Sequence, residues 1–173
     1  MTQQTLSKAI PPGEALLLDT STLIAYLDGR ESVSPVATHI VNIYVREGRN
    51  PGLVSVVSVM ETLVGPLRRS SEAYRQVVDF LTTFPNLHAI ALDFAVAHEA
   101  ARLRAAHNFS TPDALIIASA ISVEVHHIAT NDETGGSKLE PLDSGCGRSR
   151  GAPTDHPGAI ATRPARSKRR SKE

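Results

Sequence analysis

Four short apolar runs, separated by longer helix-patterned stretches, constrain the fold of this chain more than anything else in it. Ala15-Leu16-Leu17-Leu18 is continuous and apolar, follows Pro11-Pro12-Gly13 and stops at Asp19. The run 53–57 (Leu-Val-Ser-Val-Val) is rich in β-branched residues, and 87–92 and 127–130 are of similar length. Such runs read as strands, the first of them buried on both faces. Helical patterns fill the intervals. Thr20-Ser21-Thr22 opens a short helix through Leu27, and Val36, Ile40, Ile43 and Glu47 keep helical spacing up to Gly48 and Asn50-Pro51. Stretches 58–69 and 72–84 read as two more helices, 93–107 is Ala-rich and helical, and 111–123 is apolar nearly all round, which predicts a deeply buried helix. Strands alternating with helices require crossover connections and hence parallel pairing. The expected fold class is α/β, a central, mostly parallel sheet flanked by helices.

A chain of 173 residues suits one domain, and 41% hydrophobic residues suffice for its core. The charge is zero overall but unevenly spread. Residues 144–173 carry eight Lys and Arg against Asp155 and Glu173, a net +6, which leaves the rest at −6. The tail has one large aliphatic residue, Ile160, so it is expected to remain disordered. The division expected is an N-terminal extension over 1–14, a domain over 15–143 and the basic tail over 144–173. Cys146 is the single cysteine, which excludes an intrachain disulfide and a cysteine zinc cluster. The start of the chain is polar, unlike a signal peptide, and no run approaches the ~18 apolar residues of a spanning helix. The expectation is a cytoplasmic protein with no membrane partner. Phosphate-binding loops of the GxxxxGK[ST] or GxGxxG type and the nucleophile-elbow pattern do not occur.

In an open parallel sheet, ligands bind beyond the carboxyl ends of the strands. That rule selects acids. Asp19 ends the first strand, Asp132 comes two residues after the fourth, Glu61 falls in the first turn of the helix after the second, and Asp113 falls in the first turn of the helix opened by Thr111-Pro112. Each alone has an ordinary explanation. Asp19 suits a turn or a cap, Ser58-Val59-Met60-Glu61 has the form of a capping box, Asp113 favours the positive end of a helix, and Asn131-Asp132 is a common turn pair. Together they say more. Carboxylates gathered at one edge repel one another, and a divalent cation relieves the repulsion. All-oxygen ligands suit Mg²⁺ or Mn²⁺, and such ions hold phosphates and activate water for phosphodiester hydrolysis. Histidines 98, 107, 126 and 127 lack convincing zinc spacing.

The stretches around these acids resemble the four motifs of PIN domains. Leu18-Asp19-Thr20-Ser21-Thr22-Leu23-Ile24-Ala25 is similar to the first, and Ser58-Val59-Met60-Glu61-Thr62-Leu63-Val64-Gly65 to the second. Thr111-Pro112-Asp113-Ala114-Leu115-Ile116-Ile117-Ala118 and Ala129-Thr130-Asn131-Asp132 are similar to the third and fourth. The third motif and the short length look most like VapC-type toxins of bacterial toxin–antitoxin pairs. The resemblance implies a PIN-like three-layer fold and a Mg²⁺- or Mn²⁺-dependent endoribonuclease that dimerises and is inhibited by a cognate antitoxin. Asp19, Glu61, Asp113 and Asp132 are then its catalytic and metal-site carboxylates, with Ser21 and Thr130 as hydrogen-bonding helpers. After Asp132 the resemblance fades, because the family continues with a helix and a final strand where this chain has Glu133-Thr134-Gly135-Gly136 and Glu140-Pro141-Leu142. That departure leaves a second expectation open, a catalytically inactive PIN-like module that binds an antitoxin or RNA.

Overall fold

The computed structural model describes residues 9–29 and 34–131. Strands β1 (Leu16–Leu18), β2 (Gly52–Ser55), β3 (Leu87–Ile90) and β4 (His127–Ala129) form one parallel sheet in the order β3-β2-β1-β4. The helices are α1 (Thr20–Asp28), α2 (Ser34–His39), which runs on as a π-helical segment (Ile40–Arg46), α3 (Val56–Arg69), α4 (Ser71–Thr83), α5 (Phe94–His107) and α6 (Thr111–Ser122).

Register explains the burial. Leu16 pairs with Gly52 and His127, and Leu18 with Ala129, so alternate residues of all four strands share a face. Leu16, Leu18, Val54, Leu87 and Ala129 meet Leu23 of α1 and Ile40, Val41, Tyr44 and Val45 of the π segment, with Phe80 and Phe84 of α4 packed on them. Leu17 and Ile90, on the other face, meet Ile116 and Ala120 of α6. Helix α5 lies outside α6 and closes that side through Val96, Ala100 and Leu103. The result is the expected three-layer α/β fold, with Leu16, Leu17 and Leu18 fully buried at its centre.

Several local expectations shift. β2 stops at Ser55, because the Ser55 hydroxyl accepts the Val57 N–H and caps a helix that begins at Val56. Ser58 therefore lies buried inside α3, and Ser58–Glu61 is not a capping box; Glu61 sits in the second turn, not the first. The expected stripe of Val36, Ile40 and Ile43 is broken by the π segment, which buries Ile40, Val41, Tyr44 and Val45 and leaves Ile43 at the surface. Residues 10–14 of the 1–14 extension are held to the domain: Ile10 is in the core, and Asn50 Nδ2 donates to the Pro11 and Glu14 carbonyls. The buried Asn50 side chain thus ties the Pro-Pro-Gly stretch to the start of β2. Asp132, Cys146 and the basic tail over 144–173 lie outside the described residues. Among those described, no helix is long and apolar enough to cross a membrane.

Candidate active site

All four strands point the same way, so their carboxyl ends share one edge, and β1 is a central strand of that edge. Asp19 leaves β1 directly and is the N-cap of α1. Its Oδ1 accepts the Thr20 N–H at 2.7 Å. Its Oδ2 accepts the Ser21 hydroxyl at 3.0 Å and the Thr130 hydroxyl at 2.9 Å. With both protons spent on Asp19, the 3.2 Å approach of Ser21 Oγ to Thr130 Oγ1 is a side-by-side contact rather than a further bond. Ser21 Oγ also accepts the Asn131 N–H at 2.9 Å, which ties the chain just beyond β4 to the first turn of α1. Ser21 and Thr130, named as helpers only through the family resemblance, both hydrogen-bond to Asp19 Oδ2.

Glu61 arrives from α3. The Thr20 hydroxyl donates to its Oε2 at 2.7 Å, across 41 residues of sequence. Asp19 and Glu61 are thus joined through one threonine, and both are half-buried. Among the described residues neither has a salt-bridge partner. A carboxylate offers about four lone-pair sites. The hydrogen bonds described above occupy three on Asp19 and one on Glu61, so oxygen donors remain for a ligand. Hard, uncompensated oxygens beside hydroxyl donors fit a divalent cation of the Mg²⁺ kind.

Asp113 is placed differently. It occupies the first turn of α6, half-buried, and its backbone N–H donates to Ser110 Oγ at 3.3 Å. The cap is therefore Ser110, one residue ahead of Thr111-Pro112. Among the described residues no group of three His, Cys, Asp or Glu side chains is close enough to hold a metal ion. The structure brings together Asp19, Glu61, Ser21 and Thr130 and leaves Asp113 apart from their hydrogen bonds. His127 bonds to Glu14 at the start of β4, the opposite edge of the sheet.

Thr20 is the residue that sequence reasoning passed over. Its position was the available signal: a hydroxyl directly after a strand-ending acid, at the first helical residue, has no helical carbonyl behind it.

A family model described as PIN domain matches residues 16–134. No protein of curated function matches the sequence. Among solved structures, a toxin–antitoxin complex from Klebsiella pneumoniae is similar at 22% identity and a TM-score of 0.56, over 69% of this chain and 88% of that one. VapC20 of Mycobacterium tuberculosis, described as a toxin that cleaves the sarcin–ricin loop, is similar at 16% identity and a TM-score of 0.59, over 71% and 94%. VapBC2 of Rickettsia felis, bound to a DNA fragment from its promoter, is similar at 15% identity and a TM-score of 0.55, over 71% and 92%. At these identities the likeness is one of fold.

Proposed function

The chain belongs to the PIN-domain family, and from that premise we propose that it is a metal-dependent endoribonuclease, the toxin of a toxin–antitoxin pair. The observation that carries this reading is the pairing of Asp19 with Glu61 at the carboxyl edge of the sheet, through Thr20 and with no cationic partner among the described residues. Asp19 and Glu61 would hold Mg²⁺ or Mn²⁺, with Asp113 and Asp132 as the further acids the family pattern proposes. When bound, such an ion supplies charge that holds a phosphate and lowers the pKa of water. The chain's own residues do the rest. Ser21 and Thr130 keep Asp19 Oδ2 pointed and hydrogen-bonded, and the Asn131 N–H fixes Ser21 in turn. The neutral hydroxyls leave the negative charge of the site uncancelled, so that it favours a cation over a bare phosphate.

The fold neighbours drawn from toxin–antitoxin complexes support a cognate antitoxin as partner. Exposed apolar residues support partner surfaces, for the antitoxin and for a second copy in a homodimer: Met60, Val64 and Leu67 recur at helical spacing on the outside of α3.

The test is cleavage of total RNA by the purified chain in Mg²⁺, Mn²⁺ or EDTA, beside Asp19→Asn. Wild type should release fragments with either metal and none in EDTA, and the variant should release none. Equal cutting in EDTA would defeat metal dependence, and equal cutting by the variant would remove Asp19 from the chemistry. A second reading, an inactive PIN-like module that binds an antitoxin or RNA, draws on one observation: after Asp132 the sequence departs from the family pattern. Absence of cutting under every condition, with RNA or antitoxin still bound, would favour it.

A further inference from the structure

Thr20 touches both acids of the site. Its backbone N–H donates to Asp19 Oδ1 and its hydroxyl to Glu61 Oε2, each at 2.7 Å. Inside a helix a threonine hydroxyl commonly returns its proton to a carbonyl three or four residues back. Thr20 is the first residue of α1, and the residues three and four before it, Leu17 and Leu16, belong to β1. No helical carbonyl stands in that place, and the proton goes instead to an acceptor on another element.

Glu61 needs such a contact. It extends from the second turn of α3, half-exposed, on a side chain with several free torsions, and Thr20 is the only described residue that hydrogen-bonds to its carboxylate. A glutamate left loose would have to be ordered each time it bound a ligand, which weakens binding. Its Oε1 accepts no hydrogen bond from the described residues.

We propose that Thr20 is a positioning residue for the metal-binding reading above. Its hydroxyl fixes Glu61 through Oε2 and leaves Oε1 for the cation, while its N–H holds Asp19 Oδ1 on the same side. The backbone half survives any substitution but proline; the hydroxyl half survives only in serine. Thr20→Val keeps the shape and deletes only the bond to Glu61.

The experiment is calorimetric titration of the full chain with Mn²⁺. Loss of an outer hydrogen bond to a metal ligand typically weakens metal binding about 10–100-fold. Thr20→Val should show a loss of that order with an unchanged melting curve, and Thr20→Ser should bind close to wild type. In cleavage, the Mn²⁺ midpoint of Thr20→Val should rise while kcat at saturating metal recovers. In a Glu61→Ala background, adding Thr20→Val should cost nothing more, because the partner is already gone. If Thr20→Val does not fold, Thr20→Ala takes its place in both backgrounds. Wild-type affinity in Thr20→Val, or a loss that persists without Glu61, overturns the role of Thr20 alone. A wild-type chain that takes up no Mn²⁺ overturns that role together with the metal-binding reading on which it rests.

Discussion

Asp19 serves two ends with one carboxylate. It caps α1, and it gathers the hydroxyls of Ser21 and Thr130 at the edge of the sheet. The first duty is local and was legible in the sequence, because an aspartate that ends an apolar run and opens a helix is a recognisable cap. The second depends on contacts spanning 111 residues, and only the motif resemblance gave it away. Glu61 is the converse case: its apparent capping box dissolves once Ser55 is seen to cap α3, which leaves the contact with Thr20 as its structural partner. Asp113 keeps its ordinary place in the first turn of α6 and is the acid on which substitution is most informative. Asp113→Asn retains size and helix-start chemistry, so the loss of its charge near the helix end should cost at most about 1 kcal/mol. As a metal-site residue it should lower cleavage on the order of a hundredfold or more. Urea melts and initial cleavage rates on the same preparation separate the two effects. Wild-type cutting would reduce Asp113 to a helix-start residue, and an unfolded variant would make its role structural.

At the level of elements, all four strands were legible because short continuous apolar runs have few other uses in a domain of this size. Their ends were less so. Val56 and Val57 suit a strand by propensity, but the Ser55 cap commits them to α3, and Val57 is buried there. The π segment was invisible, since widening a helix by one residue per turn leaves no composition signal. It matters because Val45 packs directly over the first residue of β2. A Cβ added at Gly52 would stand 2.5 Å from Val45 Cγ1 and 2.9 Å from Val45 Cγ2, with Leu87 Cδ1 at 3.2 Å. Gly52→Ala should therefore destabilise the fold by about 1–3 kcal/mol, read as a lower urea midpoint at unchanged slope. An unchanged midpoint would mean that the π segment moves off the sheet at little cost.

At the scale of the whole molecule, the sequence divides into an acidic body and a basic end, and the described residues belong to the former. A +6 charge over 144–173 would attract RNA through counterion release, a term that falls steeply with salt. Truncation after Asp143 should leave the metal-dependent rate unchanged at high ionic strength and weaken RNA binding only at low ionic strength. Complete loss of cutting at both, by a truncated chain that still folds, would show that the tail supplies part of the site. The central proposal is narrower than any of these: Asp19 and Glu61 together would hold a divalent cation. It is tested most directly by diffraction from crystals of the chain soaked in Mn²⁺, with data collected for anomalous scattering. The account predicts an anomalous peak within about 2.0–2.6 Å of an oxygen of each carboxylate. A peak elsewhere with that position empty, or no peak at all at millimolar Mn²⁺, would contradict it.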